Sequence, residues 1–153
     1  MEAPSTNLSE RAALHGRHPS DVLLVEDDDL VRYAVRRLLV AAHRSCAAAA
    51  SVEEAQQLLA VHAPSLVLTD YNLAGRWTGI DLLAWMRRSP RLRGIPAVLM
   101  TGDDPESVRD ALAAAGLADV EVVAKPFEPP ELIAAVSRAA GGAAEHGSPP
   151  PSP

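Results

Sequence analysis

The chain has 153 residues, enough for one domain with a proper core. A net charge of −6 argues against a nucleic-acid partner held through phosphate contacts, and the single Cys46 excludes an internal disulfide. No apolar run approaches the ~20 residues that span a bilayer, and no basic stretch followed by an apolar one opens the chain, so the reading is a soluble, cytoplasmic protein with no membrane partner.

Residues 1–20 are polar and mixed, predicting a mobile arm with a helical turn near Leu8 to Leu14. Asp21 to Val25 supplies four consecutive apolar residues, a first buried strand that stops at Glu26-Asp27-Asp28-Asp29. One acid of that run suits a helix N-cap, and the others require a different explanation. Leu30, Ala34 and Leu38, with Val31, Val35 and Leu39 beside them, recur at helical spacing and predict an amphipathic helix. Residues 45–50 are nearly all alanine, which prefers helix, yet topology asks for a second strand there. Ser51 with Glu54 reads as a capping box opening a helix through Val52, Ala55, Leu58 and Leu59 that ends before Pro64.

Ser65 to Thr69 is a short apolar run ending at the carboxylate of Asp70, a third strand. After the loop 71–79, Ile80, Leu82, Leu83 and Met86 mark a third helix that closes at Ser89-Pro90. Residues 96–100 form a fourth strand running into Thr101-Gly102, and Asp103-Asp104-Pro105-Glu106 opens a fourth helix that stops at Gly116. Residues 120–124 are a fifth strand ending at Lys125-Pro126-Phe127. Pro129 and Pro130 open the last helix, Gly141-Gly142 closes it, and residues 141–153 read as a disordered tail. The organisation is an arm over 1–20, a domain over 21–140 and that tail. Five strands alternating with helices give an α/β fold with a doubly wound parallel sheet, flavodoxin-like in order.

In a parallel sheet of this kind the strand ends converge on one edge, bringing together Glu26/Asp27, Asp70, Thr101 and Lys125. Clustered carboxylates repel, and oxygen-only ligands suit Mg²⁺, which keeps several of its waters. A divalent cation, a lysine and a hydroxyl around one carboxylate are what an incoming phosphoryl group needs, so Asp70 is read as a phosphoryl acceptor.

The motifs Val25-Glu26-Asp27-Asp28, Leu68-Thr69-Asp70, Met100-Thr101-Gly102 and Lys125-Pro126-Phe127, in that order, resemble the CheY-like receiver domain of bacterial two-component response regulators. The resemblance implies Asp70 as phosphoacceptor and Asp27 as a direct Mg²⁺ ligand, with Glu26 holding a metal-bound water. It further implies the Asn72 backbone carbonyl on the metal, Thr101 on a phosphoryl oxygen, Lys125 on the phosphate or on Asp70, and a cis peptide before Pro126. Asp27/Asp28 is the other acid pair the register allows; Glu26/Asp27 is preferred because Leu30 and Arg32 then match the family's first helix. Asn72 and Asp103 fall where receivers tune dephosphorylation, and Asp103 is equally read as the cap of the fourth helix.

The chain departs from the family at Ala74, where Pro is frequent, in a longer loop around Trp77, and at Val122, where Tyr or Phe usually transmits the signal. The implied function is a stand-alone receiver, not an enzyme in the ordinary sense, phosphorylated by a histidine kinase or a histidine phosphotransfer protein. A downstream protein would dock on the fourth helix, fifth strand and fifth helix. The alternatives are a phosphorylation-independent interaction module, and a haloacid-dehalogenase-type phosphatase, disfavoured because Asn72 stands where that family needs a second acid.

Overall fold

The computed structural model describes residues 21–147. The predicted arm over 1–20 and residues 148–153 of the predicted tail lie outside them. Ten elements alternate: β1 (Val22–Val25), α1 (Asp29–Ala41), β2 (Cys46–Ala49), α2 (Val52–Val61), β3 (Leu66–Asp70), α3 (Gly79–Arg87), β4 (Ala97–Thr101), α4 (Pro105–Ala114), β5 (Glu121–Ala124) and α5 (Pro129–Gly147). The strands form one parallel sheet in the order β2-β1-β3-β4-β5, the flavodoxin-like arrangement expected.

Alternate strand residues serve opposite faces of the sheet. Leu23, Val25, Val67 and Leu99 pack with Leu59 of α2, Leu82 and Met86 of α3, and Leu112 of α4. Val22, Leu24, Leu68, Val98 and Met100 pack with Val35 and Leu39 of α1 and with Leu132 and Val136 of α5. Both faces are covered, which is why the central strands read as unbroken apolar runs. β2 forms despite its alanines because β1 already offers it a ladder, Val22 pairing with Cys46 and Val25 with Ala49. Burial pushes the Cys46 thiol up to about 11, so it packs as a small apolar group.

Three local readings are corrected. On α1 the buried stripe is Val35 and Leu39 with Val31 and Leu38 partly covered, whereas Leu30 is 80% exposed and Ala34 also faces out. The Ser51 hydroxyl accepts from the Glu54 N–H at 3.1 Å, but the Glu54 carboxylate returns to the N–H of Ala50, one residue before the box position. The last helix does not close at Gly141-Gly142: it continues to Gly147, since the surrounding alanines favour helix and two glycines cost only about 1 kcal/mol each.

Candidate functional site at the strand ends

Each site residue hangs from a strand that is extended one rung past its end. The N–H of Glu26 donates to Ala49 O (3.0 Å), that of Tyr71 to Met100 O (2.8 Å) and that of Lys125 to Thr101 O (2.7 Å). The register aligns Asp70 with Met100 and Thr101 with Ala124, so Asp70, Thr101 and Lys125 occupy successive levels of the same edge. Glu26, Asp70 and Thr101 are buried, at 1%, 6% and 1% exposure, while Asp27 is half-buried.

The lysine is the hub. Its Nζ lies 2.8 Å from Asp70 Oδ1 and 3.4 Å from Glu26 Oε1. The Lys125–Pro126 peptide is cis. Burial raises the Asp70 carboxyl above its ordinary value; Lys125 opposes that, and the charge of Asp27 adds to it. Burial likewise raises Glu26, against a hydrogen bond from the Asp28 N–H, with the Asp70 charge pushing further up. For Lys125 burial alone would lower the ammonium, but its bonds and charge attraction to Asp70 and Glu26 prevail and raise it.

Carboxylate oxygens of Glu26, Asp27 and Asp70 lie within 4.8 Å of one another. Three carboxylates face a single lysine there, so the ionised cluster carries unbalanced negative charge. An all-oxygen set of this kind fits a hard divalent ion such as Mg²⁺. Asp28 sits elsewhere: its Oδ1 accepts from the N–H groups of Leu30 and Val31, making it the cap of α1. Arg32 buttresses the turn, donating to the Glu26 carbonyl at 2.9 Å and to Asp29 at 2.6 Å. The Thr101 hydroxyl oxygen accepts from the Asp103 N–H at 2.9 Å, which leaves its proton free to donate.

The mouth of the site is formed by two loops. Asn72 Nδ2 donates to Asp103 Oδ2 at 3.2 Å, joining the β3–α3 loop to the β4–α4 turn. Asp103 is not the cap of α4: Asp104 is, accepting from the Ser107 N–H at 2.9 Å. Trp77 is 42% exposed in the β3–α3 loop, with the Arg76 guanidinium 5.1 Å from its ring centre. Val122 is half-buried on β5 and leaves a groove of about 360 Å³ against α4, bordered by Arg109, Leu112, Val120 and Glu121.

Sequence reasoning missed two groups. Gly79 opens α3 so close to β3 that a Cβ there would lie 2.3 Å from the Asp70 carbonyl oxygen. The main-chain N–H of Ala74 donates to Asp27 Oδ2 at 3.1 Å. The first left a weak signal, a glycine just after a helix-capping threonine; the second left none, because every residue but proline carries that N–H.

A buried carboxylate flanked by a lysine, a hydroxyl and two further acids is equipped to accept an anionic group under charge neutralisation. The profile of the response regulator receiver domain matches residues 22–137. Over 113 residues the chain is 29% identical to the phosphate regulon transcriptional regulatory protein PhoB of Pseudomonas aeruginosa, covering 74% of this chain and 48% of that protein. Over 129 residues it is 27% identical to the polar-differentiation response regulator DivK of Brucella anthropi, covering 82% of this chain and 99% of that one. Among solved structures, the receiver domain of NtrX from Brucella abortus superposes with a TM-score of 0.71 at 25% identity, over 79% of this chain and 98% of that one. The chain thus spans about half the length of the PhoB relative and nearly all of DivK.

Proposed function

Because this chain belongs to the response regulator receiver domain family, we propose that it accepts a phosphoryl group on Asp70 from a histidine kinase or histidine phosphotransfer protein and signals by protein–protein contact. The observation that carries the reading is the Lys125 ammonium 2.8 Å from Asp70, inside a cluster that also holds Glu26 and Asp27.

In the step proposed, an Asp70 carboxylate oxygen attacks phosphorus and the phosphorus–nitrogen bond of the donor phosphohistidine breaks, its electron pair remaining on the imidazole. The product is an aspartyl phosphate. Lys125 exchanges its contact with Asp70 for one with a phosphoryl oxygen, and the free proton of the Thr101 hydroxyl donates to another. Glu26, Asp27, Asp70 and the Asn72 carbonyl would hold Mg²⁺, which when bound supplies neutralisation of the phosphoryl oxygens. Water then returns the carboxylate and releases inorganic phosphate, with the Asn72–Asp103 pair at the mouth placed to orient it. This makes the protein a phosphoacceptor that catalyses only its own modification and demodification.

The groove between α4 and Val122 supports an output contact on the α4-β5-α5 face. The small Val122 also favours a second reading, an interaction module that works without phosphorylation. Among the described residues, no helix is long and apolar enough to cross a membrane. Intact mass after incubation with Mg²⁺ and acetyl phosphate separates the readings. Wild type is expected to gain one phosphoryl group and lose it with time, and Asp70→Asn to gain none. A folded wild type that gains none at any Mg²⁺ concentration leaves the phosphorylation-independent module.

A further inference from the structure

Asp27 is half-buried, and its carboxylate is held by a donor from another part of the chain, 47 positions away. That donor, the Ala74 N–H, belongs to a loop fixed on three sides. At its base the Gly79 N–H donates to Tyr71 O at 2.9 Å. At its far end Thr78 and Asp81 form a reciprocal capping box on α3, with bonds of 3.2 and 2.8 Å. Near its start Asn72 is tied to Asp103. A donor so restrained fixes the direction of the group it binds.

Ligation of Mg²⁺ through one oxygen leaves the second oxygen of a carboxylate free. Asp27 Oδ2 is already engaged by Ala74, and Oδ1 remains for a cation. We propose that the main-chain N–H of Ala74 is a positioning group for the cation ligand Asp27, so that the geometry of the 71–79 loop sets the affinity of the cation site. The proposal rests on the reading of Glu26, Asp27 and Asp70 as the cation site. It links the acidic edge to the surface segment bearing Arg76 and Trp77. Bonds that orient a metal ligand in this way typically contribute about 10- to 100-fold in metal affinity.

The test replaces the residue 74 amide by an ester, which deletes this N–H and leaves the side chain in place. Mg²⁺ affinity is read by calorimetric titration without any phosphodonor, beside Ala74→Pro and Ala74→Ser. The ester and Ala74→Pro are expected to bind Mg²⁺ about 10-fold more weakly than wild type, and Ala74→Ser, which keeps the N–H, to bind within about twofold. In the wild type the Ala74 amide nitrogen shift is expected to move with the same dissociation constant. An ester form that binds as tightly as wild type overturns the proposal, whatever Ala74→Pro does. A wild type that takes up no Mg²⁺ overturns the cation site itself, and the proposal with it.

Discussion

Replacing Asp27 with Asn removes one charge from a group of carboxylates whose oxygens lie within 4.8 Å of one another. At that separation two unit charges repel by about 0.9 kcal/mol at the dielectric of water and about 3.5 kcal/mol at an effective value of 20. Asp27 is half-buried and Lys125 offsets part of the field, so the low end applies, and the metal-free variant is expected to be more stable by about 1 kcal/mol. For a domain of this size that is a rise in Tm of about 4 °C. The amide keeps an oxygen to accept from Ala74. With Mg²⁺ at roughly 100 times the wild-type Kd, wild type gains about 2.7 kcal/mol by mass action and the variant far less, so the order of stability reverses. Urea unfolding in EDTA and in Mg²⁺ measures both halves. A variant less stable than wild type in EDTA would refute the repulsion argument; one that keeps the full Mg²⁺ gain would remove Asp27 from the ligand set.

Three further outcomes are expected. Gly79→Ala places a methyl 2.3 Å from a main-chain oxygen that cannot yield cheaply, so it should lose about 2 kcal/mol and slow phosphorylation of Asp70; unchanged urea midpoint and mass kinetics would contradict this. His43 ends α1 at a φ of +65°, a conformation that costs a side chain about 1 kcal/mol, so His43→Gly should raise the urea midpoint by roughly 0.5 kcal/mol equivalent, and a loss would sink the argument. Asp70 has a raised folded-state pKa, so between its ordinary value and the raised one the folded chain binds more protons than the unfolded chain, and stability falls as pH rises through that window. In EDTA wild type should therefore lose more stability than Asp70→Asn as pH rises above the ordinary carboxylate value; identical pH dependence would mean that Asp70 is not strained by its surroundings.

The sheet was legible because each strand is a short apolar run that stops at a polar residue, and the same stops mark the site. β2 has no such contrast: its alanines carry a helical preference that only its ladder with β1 overrides. α1 carries nine apolar residues among its thirteen, too many to define one stripe, and packing chose Val31, Val35 and Leu39 over Leu30 and Ala34. Asp103 and Asp104 are the same residue type side by side, so which one caps α4 depends on a backbone turn that composition does not encode. The end of α5 was misplaced because a glycine pair reads as a stop, whereas helix already formed absorbs it. Trp77 is visible as an unusual loop residue, but the Arg76 guanidinium over its ring is not.

The rungs that carry Glu26, Tyr71 and Lys125 past the strand ends divide the site into two dynamic classes. These three amides continue the parallel ladder of a sheet covered on both faces. The N–H groups of Ala74 and Asp103 instead donate to side-chain oxygens, those of Asp27 and Thr101, outside the ladder. The backbone that bears Glu26, Asp70 and Lys125 is thus part of the ladder itself, whereas the rim is joined to it through side chains, and the rung amides are expected to be the slower class in hydrogen exchange.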